Sequence, residues 1–189
     1  WVLEEKPDWK DNYIVDMRSE KWHDILLERV IPEISAKGYR GLFLDTIDTA
    51  SALYANDPDK YTGILNAPAE IIRKIKIRFP DLMLIPNNGL DLFDSFGSDV
   101  DAVFFFFLYG MPDFENGSYF RADQNDSDNK TKLLKSIRKK YSLPVFIVDY
   151  ADENNRKTVL NFIKMNKKNK FKPYIAEKEL SRMYQQDSI

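Results

Sequence analysis

Apolar residues in this chain follow two rhythms: short unbroken runs, and longer stretches where they recur every third or fourth position. The first rhythm marks buried strands and the second amphipathic helices. Tyr13–Met17, Gly41–Asp45, Leu82–Pro86, Asp101–Phe107, Pro144–Val148 and Lys172–Ile175 are the predicted strands. Trp22, Ile25, Leu26, Val30 and Ile34 recur at helical spacing after Ser19, which suits a helix N-cap. Pro32 should kink that helix and Gly38 should close it. Ile71, Ile72 and Ile75 follow Pro68, while Leu133, Leu134, Ile137 and Tyr141 mark a further helix. Another runs to about Lys168, and a last one follows Ile175. Trp1–Lys10 reads as a loop or helix remnant broken at Pro7, and Leu90–Phe96 as a short helix. Thr49–Asn66 and Met111–Asn129 read as long connections, the kind that often carry function.

Strand and helix thus alternate six times, a pattern that predicts parallel strands joined by right-handed crossovers. The run Asp101–Phe107 is apolar on both faces, as a covered parallel strand should be. Six units are two short of a closed eightfold barrel, and an open doubly wound sheet is the alternative. No glycine-rich phosphate loop follows any strand, which argues against a nucleotide fold. At 189 residues one domain is expected, with enough chain to bury a core.

In an α/β protein the residues at the carboxyl ends of parallel strands face the active-site crevice. Asp45 stands there, with Asp48 one turn beyond. Asp16, Asn87, Asn88, Asp149 and Tyr150 end other predicted strands, where Asn and Asp can hydrogen-bond sugar hydroxyls. Turn and cap chemistry explains the same residue types, since Asn-Asn-Gly is a common turn. Tyr54 and Tyr61, in the long connection, are candidate platforms for a sugar ring; Trp1, Trp9 and Tyr109 are further aromatics that could stack. Trp22 fits the buried stripe of its helix, and His23, the sole histidine, is expected at the surface.

Composition narrows the chemistry. With 28 basic and 30 acidic residues, net charge favours neither nucleic acid nor an anionic membrane. The five lysines of Lys164–Lys172 read as a solvated helix end. The absence of cysteine removes disulfides, thiolate metal sites and a thiol nucleophile. No apolar run reaches the roughly 18 residues of a membrane span. Asp16, Asp45 and Asp48 could gather a divalent ion through oxygen, but no metal or cofactor is expected.

Four stretches carry a resemblance. Asp16–Trp22, Gly38–Asp48, Asn87–Phe93 and Pro144–Asp152, in this order, resemble the family 114 glycoside hydrolases, as does the ending Lys172–Leu180. These are similar to endo-α-1,4-polygalactosaminidases, eightfold barrels that act outside the cell on galactosamine-rich polysaccharide. The resemblance implies an extracellular or cell-surface site and an incomplete barrel, whose first two strand–helix units are missing from this chain. It implies Asp45 as the retained catalytic carboxylate, with Asp16, Asp48, Asn87, Asn88, Asp149, Tyr150, Tyr54 and Tyr61 binding the saccharide. Glycosidases ordinarily use two carboxyl groups. Aligned on Asp101-Ala102-Val103 and Asp113-Phe114, the second one of the family, a glutamate, falls at Phe106. Asp48, Asp149, Asp113 and Glu115 are the acids that could replace it. A weakened or absent hydrolase that keeps its sugar cleft is the expectation; the alternatives are a non-catalytic carbohydrate-binding relative and a partial gene product.

Overall fold

A computed structural model describes residues 1–6, 10–181 and 183. The chain divides into two compact units, Trp1–Asp101 and Ala102–Ile189.

In the first unit, β1 (Val2–Glu5) pairs antiparallel with β2 (Tyr13–Val15). The loop or helix remnant expected at the start is therefore half of a hairpin; Pro7 and Trp9 lie outside the described residues. The helix after Ser19 runs through α1 (Glu20–Ile25), a π-helical segment (Leu26–Val30) and α2 (Ile31–Ala36). Pro32 has no N–H to donate and its ring would collide with the carbonyl four residues back. The wider π turn, in which the Ile31 N–H reaches back to the Leu26 carbonyl, gives the ring room. The expected kink is thus a widened turn.

His23 corrects another expectation: it is fully buried rather than at the surface. Its Nε2 lies 2.8 Å from the Met17 carbonyl, and Lys74 Nζ is 3.0 Å from Nδ1. Lys74 in turn reaches Glu20 at 2.6 Å. An imidazole that donates at one nitrogen and accepts at the other satisfies both contacts, which explains how a polar ring sits in the core. Trp22 is only partly buried and stacks on Trp1 at 5.1 Å.

β3 (Gly41–Leu44) and β4 (Met83–Pro86) form a parallel pair, with Leu44 opposite Pro86. The long connection between them is mostly ordered: α3 (Thr49–Asn56), a 3₁₀ turn (Ile64–Asn66) and α4 (Ala67–Arg78). Ala50, Leu53 and Ile64 bury there against Leu3 and Ile14. The short helix expected at Leu90–Phe96 is two 3₁₀ turns, Phe93–Ser95 and Gly97–Asp99.

In the second unit, β5 (Val103–Phe106), β8 (Val145–Tyr150) and β9 (Lys172–Ala176) form a parallel sheet with β8 in the centre. α5 (Gln124–Tyr141) and α6 (Arg156–Lys168) provide the crossovers. The loop expected at Met111–Asn129 holds a hairpin of β6 (Gly110–Pro112) and β7 (Tyr119–Arg121) before α5 begins. Gly110 is fixed by contact: an added Cβ would lie 2.4 Å from both the Phe162 ring and the Tyr150 carbonyl. The helix expected after β9 falls mostly on residues 182 and 184–189, outside the described residues. The α/β class and the parallel pairing are as expected, but the described strands form no closed barrel.

Candidate active site

In the first unit the site grows directly from strand register. Since Leu44 sits opposite Pro86, the next residues, Asp45 and Asn87, fall side by side where both strands stop. Asn87 Nδ2 donates to Asp45 Oδ1 at 2.7 Å, and the Thr46 N–H donates to the same oxygen at 2.8 Å. Thr46 and Asn88 adopt left-handed conformations, φ 59° and 61°, so both chains turn sharply just past the pair. Gly89 follows at φ 65°, and a Cβ there would lie 2.6 Å from Ile47 Cγ2. The loop after Asp45 therefore presses on the turn after Asn87. Asp45 is exposed while Asn87 is buried, and Asn87 Oδ1 has no hydrogen-bond partner.

Asp48, exposed at the N-terminus of α3, makes no capping bond from its side chain. Partial desolvation, with the negative charges of Asp45 and Asp91, pushes its carboxyl above the usual range. Asp91 itself accepts from the Ser51 hydroxyl. Tyr54 is exposed on α3 and Asn88 half-buried.

Two residues expected to bind saccharide have structural work instead. Asp16 accepts from Arg18 Nε at 2.9 Å and Nη2 at 2.8 Å, and this side-chain pairing holds its carboxyl below the usual range. Arg18 also donates to the carbonyls of Lys60 and Thr62, tying β2 to the turn beyond α3. Tyr61, only 4% exposed, lies under Arg18 and Lys60 as part of the core, which corrects its reading as a platform.

The second unit has a different strand end. Phe106 packs against Phe104 at 5.0 Å, Phe107 at 5.6 Å and Tyr150 at 6.2 Å. Val148, Ala176, Tyr119 and Tyr174 complete this cluster. Strict alternation along β5 would have split the four phenylalanines two and two. Phe107, at φ 65°, instead brings its ring to the Phe106 side, while Phe105 is buried with Lys130 of α5 over it.

β8 continues two residues further than expected, and this corrects Asp149. Lying between Val148 and Tyr150, it points to the opposite face and is fully buried. It accepts from the N–H groups of Tyr109 at 2.6 Å and Gly110 at 3.1 Å, and from Asn166 Nδ2 at 2.8 Å. Burial raises its carboxyl against the pull of those donors. Tyr109 is buried too, its hydroxyl held by Thr131 and Asn169, so it offers no stacking face. Asp113 caps the hairpin turn through the N–H groups of Glu115 and Asn116, and the Asn116 side chain lowers its carboxyl. Tyr150 is 4% exposed, and burial pushes its phenol up to about 12.

One feature was not foreseen from the sequence. A cavity of about 530 Å³ is lined by Tyr119, Arg121, Tyr150, Asp152, Asn155 and Thr158 among others. Among the described residues no three acidic or histidine side chains are grouped to hold a metal ion, and no helix is long and apolar enough to cross a membrane.

The model of glycoside-hydrolase family GH114 matches residues 1–189. The chain belongs to family GH114. Its fold is similar to that of the glycoside hydrolase domain of PelA from Pseudomonas aeruginosa, with TM-score 0.80 and 22% identity over 96% of this chain and 70% of that one. A variant of the PelA domain gives the same values. Among curated relatives, an uncharacterized protein of Thermotoga maritima is 26% identical over 95% of this chain and 57% of its own length. One of Deinococcus radiodurans is 26% identical over 81% of this chain and 48% of its own. The chain thus spans about half the length of these curated relatives.

Proposed function

We propose that this GH114 member binds galactosamine-containing polysaccharide outside the cell or at its surface, and that its hydrolytic step is lost or much weakened. The observation that carries the reading is Phe106. It occupies the position that the family resemblance gives to the second carboxyl group, and its ring is packed among Phe104, Phe107 and Tyr150. A phenyl ring neither donates nor accepts a proton, and one positioned acid or base contributes typically 10²–10⁴-fold.

The replacement acids offer little. Asp149 is sealed behind three donors and Asp113 is tied into a turn. A phenol raised to about 12, as in Tyr150, stays protonated at neutral pH and is no base. Asp48 has a raised carboxyl but shares its strand end with Asp45, within reach of that carboxylate's charge. Asp45 is the retained catalytic carboxylate in this reading. Its Oδ1 is fixed by Asn87 and Thr46, while solvent reaches the rest of the group. Asp48, exposed and close enough to feel the charge of Asp45, and the accessible Asn88 and Tyr54 are the further residues assigned to the sugar in this reading. A carboxylate held in this way binds hydroxyls or the ammonium of an amino sugar.

Incubation with oligogalactosamine tests the proposal. The unsubstituted protein should release no new reducing ends at any pH yet bind the oligomer by calorimetry. Asp45→Asn should weaken that binding about tenfold, and Phe106→Glu should create measurable cleavage. Reducing ends from the unsubstituted protein would overturn the loss of catalysis. No binding of any galactosamine or N-acetylgalactosamine oligomer would overturn the carbohydrate reading.

A further inference from the structure

The near-zero net charge of the chain hides a separation of charge along it. Residues 1–101 carry 12 basic and 19 acidic side chains, whereas residues 102–189 carry 16 basic and 11 acidic. In the second unit the cations gather on α5 and α6. From Asn129 to its end α5 holds no acid, and α6 holds none at all. Lys132, Lys135 and Lys139 follow one flank of α5, spaced three and then four residues apart. Thr131 marks the direction of that flank: its hydroxyl lies 3.1 Å from the Tyr109 hydroxyl, which also accepts from Asn169 at the C-cap of α6. The lysines of α5 thus stand beside the end of α6, where Lys164, Lys167 and Lys168 are exposed as well. Among the described residues no carboxylate pairs with any of these six ammonium groups. Asp128, one turn earlier on the same side of α5, accepts from Gln124 instead.

Helix chemistry accounts for only part of this arrangement. Cations in a last turn favour the helix dipole, which covers Lys139, Lys167 and Lys168. Lys132, Lys135, Lys157 and Lys164 lie outside those turns. Lys135 and Lys139 stand four residues apart, as do Lys164 and Lys168, and like charges at that spacing destabilise a helix. A negative surface laid against them replaces the repulsion with attraction. The kind of surface follows from what stands between the lysines. Leu160 of α6 is 39% exposed, one turn after Lys157 and one before Lys164. Tyr141 and Phe162, the aromatic residues of α5 and α6, are not exposed, so the bases of a nucleic acid find no platform. Lysine stems flanking an apolar side chain, with ammonium groups reaching phosphate, are the pattern of a helix resting on an anionic bilayer. We infer that the α5–α6 face docks on an anionic phospholipid surface, its lysines against phosphate and Leu160 in the headgroup layer. The acid excess of the first unit is repelled by the same surface, so charge selects the second unit as the one that meets lipid. The inference stands independently of the saccharide reading.

Co-sedimentation of the full chain tests it, with vesicles of phosphatidylglycerol and phosphatidylcholine in equal parts and of phosphatidylcholine alone. The mixed vesicles should bind the chain at low ionic strength and release it at about 0.5 M salt, where exposed charges are largely screened. Phosphatidylcholine alone should bind at least about tenfold more weakly. Each lysine near an anionic surface is worth about fivefold in affinity, so Lys132→Gln, Lys135→Gln and Lys164→Gln together should cost about a hundredfold. Lys10→Gln, Lys21→Gln and Lys37→Gln, at exposed positions of the first unit, change net charge equally and should cost less than about threefold. Leu160→Ser should weaken vesicle binding about fivefold and leave binding to heparin or a single-stranded oligonucleotide unchanged. Equal binding to the two kinds of vesicle, equal losses in the two lysine sets, or tighter binding to heparin or the oligonucleotide than to mixed vesicles would overturn the inference. So would sedimentation without vesicles at low salt that the second-unit lysine set abolishes, because the face would then pair with the acidic first unit of another copy.

Discussion

The strand ends of the two units solve one packing problem in opposite ways. Where β3 and β4 stop, a polar pair, Asp45 and Asn87, is held open by two sharp turns and meets solvent on the aspartate side. Where β5 and β8 stop, rings close over the sheet and the carboxylate of β8 itself, Asp149, faces the helix side. The difference traces to strand length. β3 ends at Leu44, so Asp45 escapes the pleat; β8 runs on through Tyr150, so alternation sends Asp149 inward. An acid at the end of an apolar run is therefore a candidate for chemistry only when the strand has already stopped.

The largest effect should come from the buried acid. Asp149→Ala leaves two N–H groups and the Asn166 amide without their acceptor, at a cost of about 3 kcal/mol in urea denaturation. Asp45→Ala, which frees only Asn87 and Thr46, should cost about 1 kcal/mol. Equal losses would erase the contrast between the units. Next in size is Gly110→Ala, where the new Cβ must displace the Phe162 ring and the Tyr150 carbonyl; about 2 kcal/mol is expected by the same measurement. Asn87→Ala should cost about 1 kcal/mol and lower saccharide affinity, since Asp45 would lose its one side-chain donor. Unchanged affinity would remove Asn87 as the group that positions Asp45.

Much of this arrangement was legible in the sequence. The parallel strands and the acid after Leu44 followed from apolar runs bounded by glycine and aspartate, because those signals are local. The hairpin of β1 and β2 was not legible, since Val2–Glu5 carries two glutamates and becomes a strand only by pairing. Tyr61 and His23 were misjudged for a shared reason. Each is buried by partners more than forty residues away, Arg18 for the tyrosine and Lys74 for the histidine, and no local pattern announces such contacts. The cavity beside Arg121 was invisible for the same cause: its walls are contributed by three separate elements.

The smallest predicted effect concerns acid, and its sign differs between the units. Arg18 holds the folded Asp16 carboxyl below its unfolded value, so this pair contributes stability above about pH 4 that is lost as pH falls through the folded value. Burial acts the other way on Asp149: its contribution is complete at low pH and is lost as pH rises through the raised folded value. Acidification below pH 4 should therefore loosen the contacts Arg18 makes with Lys60 and Thr62 before it disturbs the turn at Tyr109 and Gly110. Because Asp16 and Arg18 both keep some solvent access, the change should stay within about 1 kcal/mol. Amide hydrogen exchange read residue by residue measures it. Lower protection factors (exchange relative to the intrinsic rate at each pH) around residues 60–64 at pH 3, an effect absent in Asp16→Asn because that variant has no carboxylate to titrate, are the expected result. If the same acid-induced opening persists in Asp16→Asn, some other carboxylate controls the first unit's response to acid.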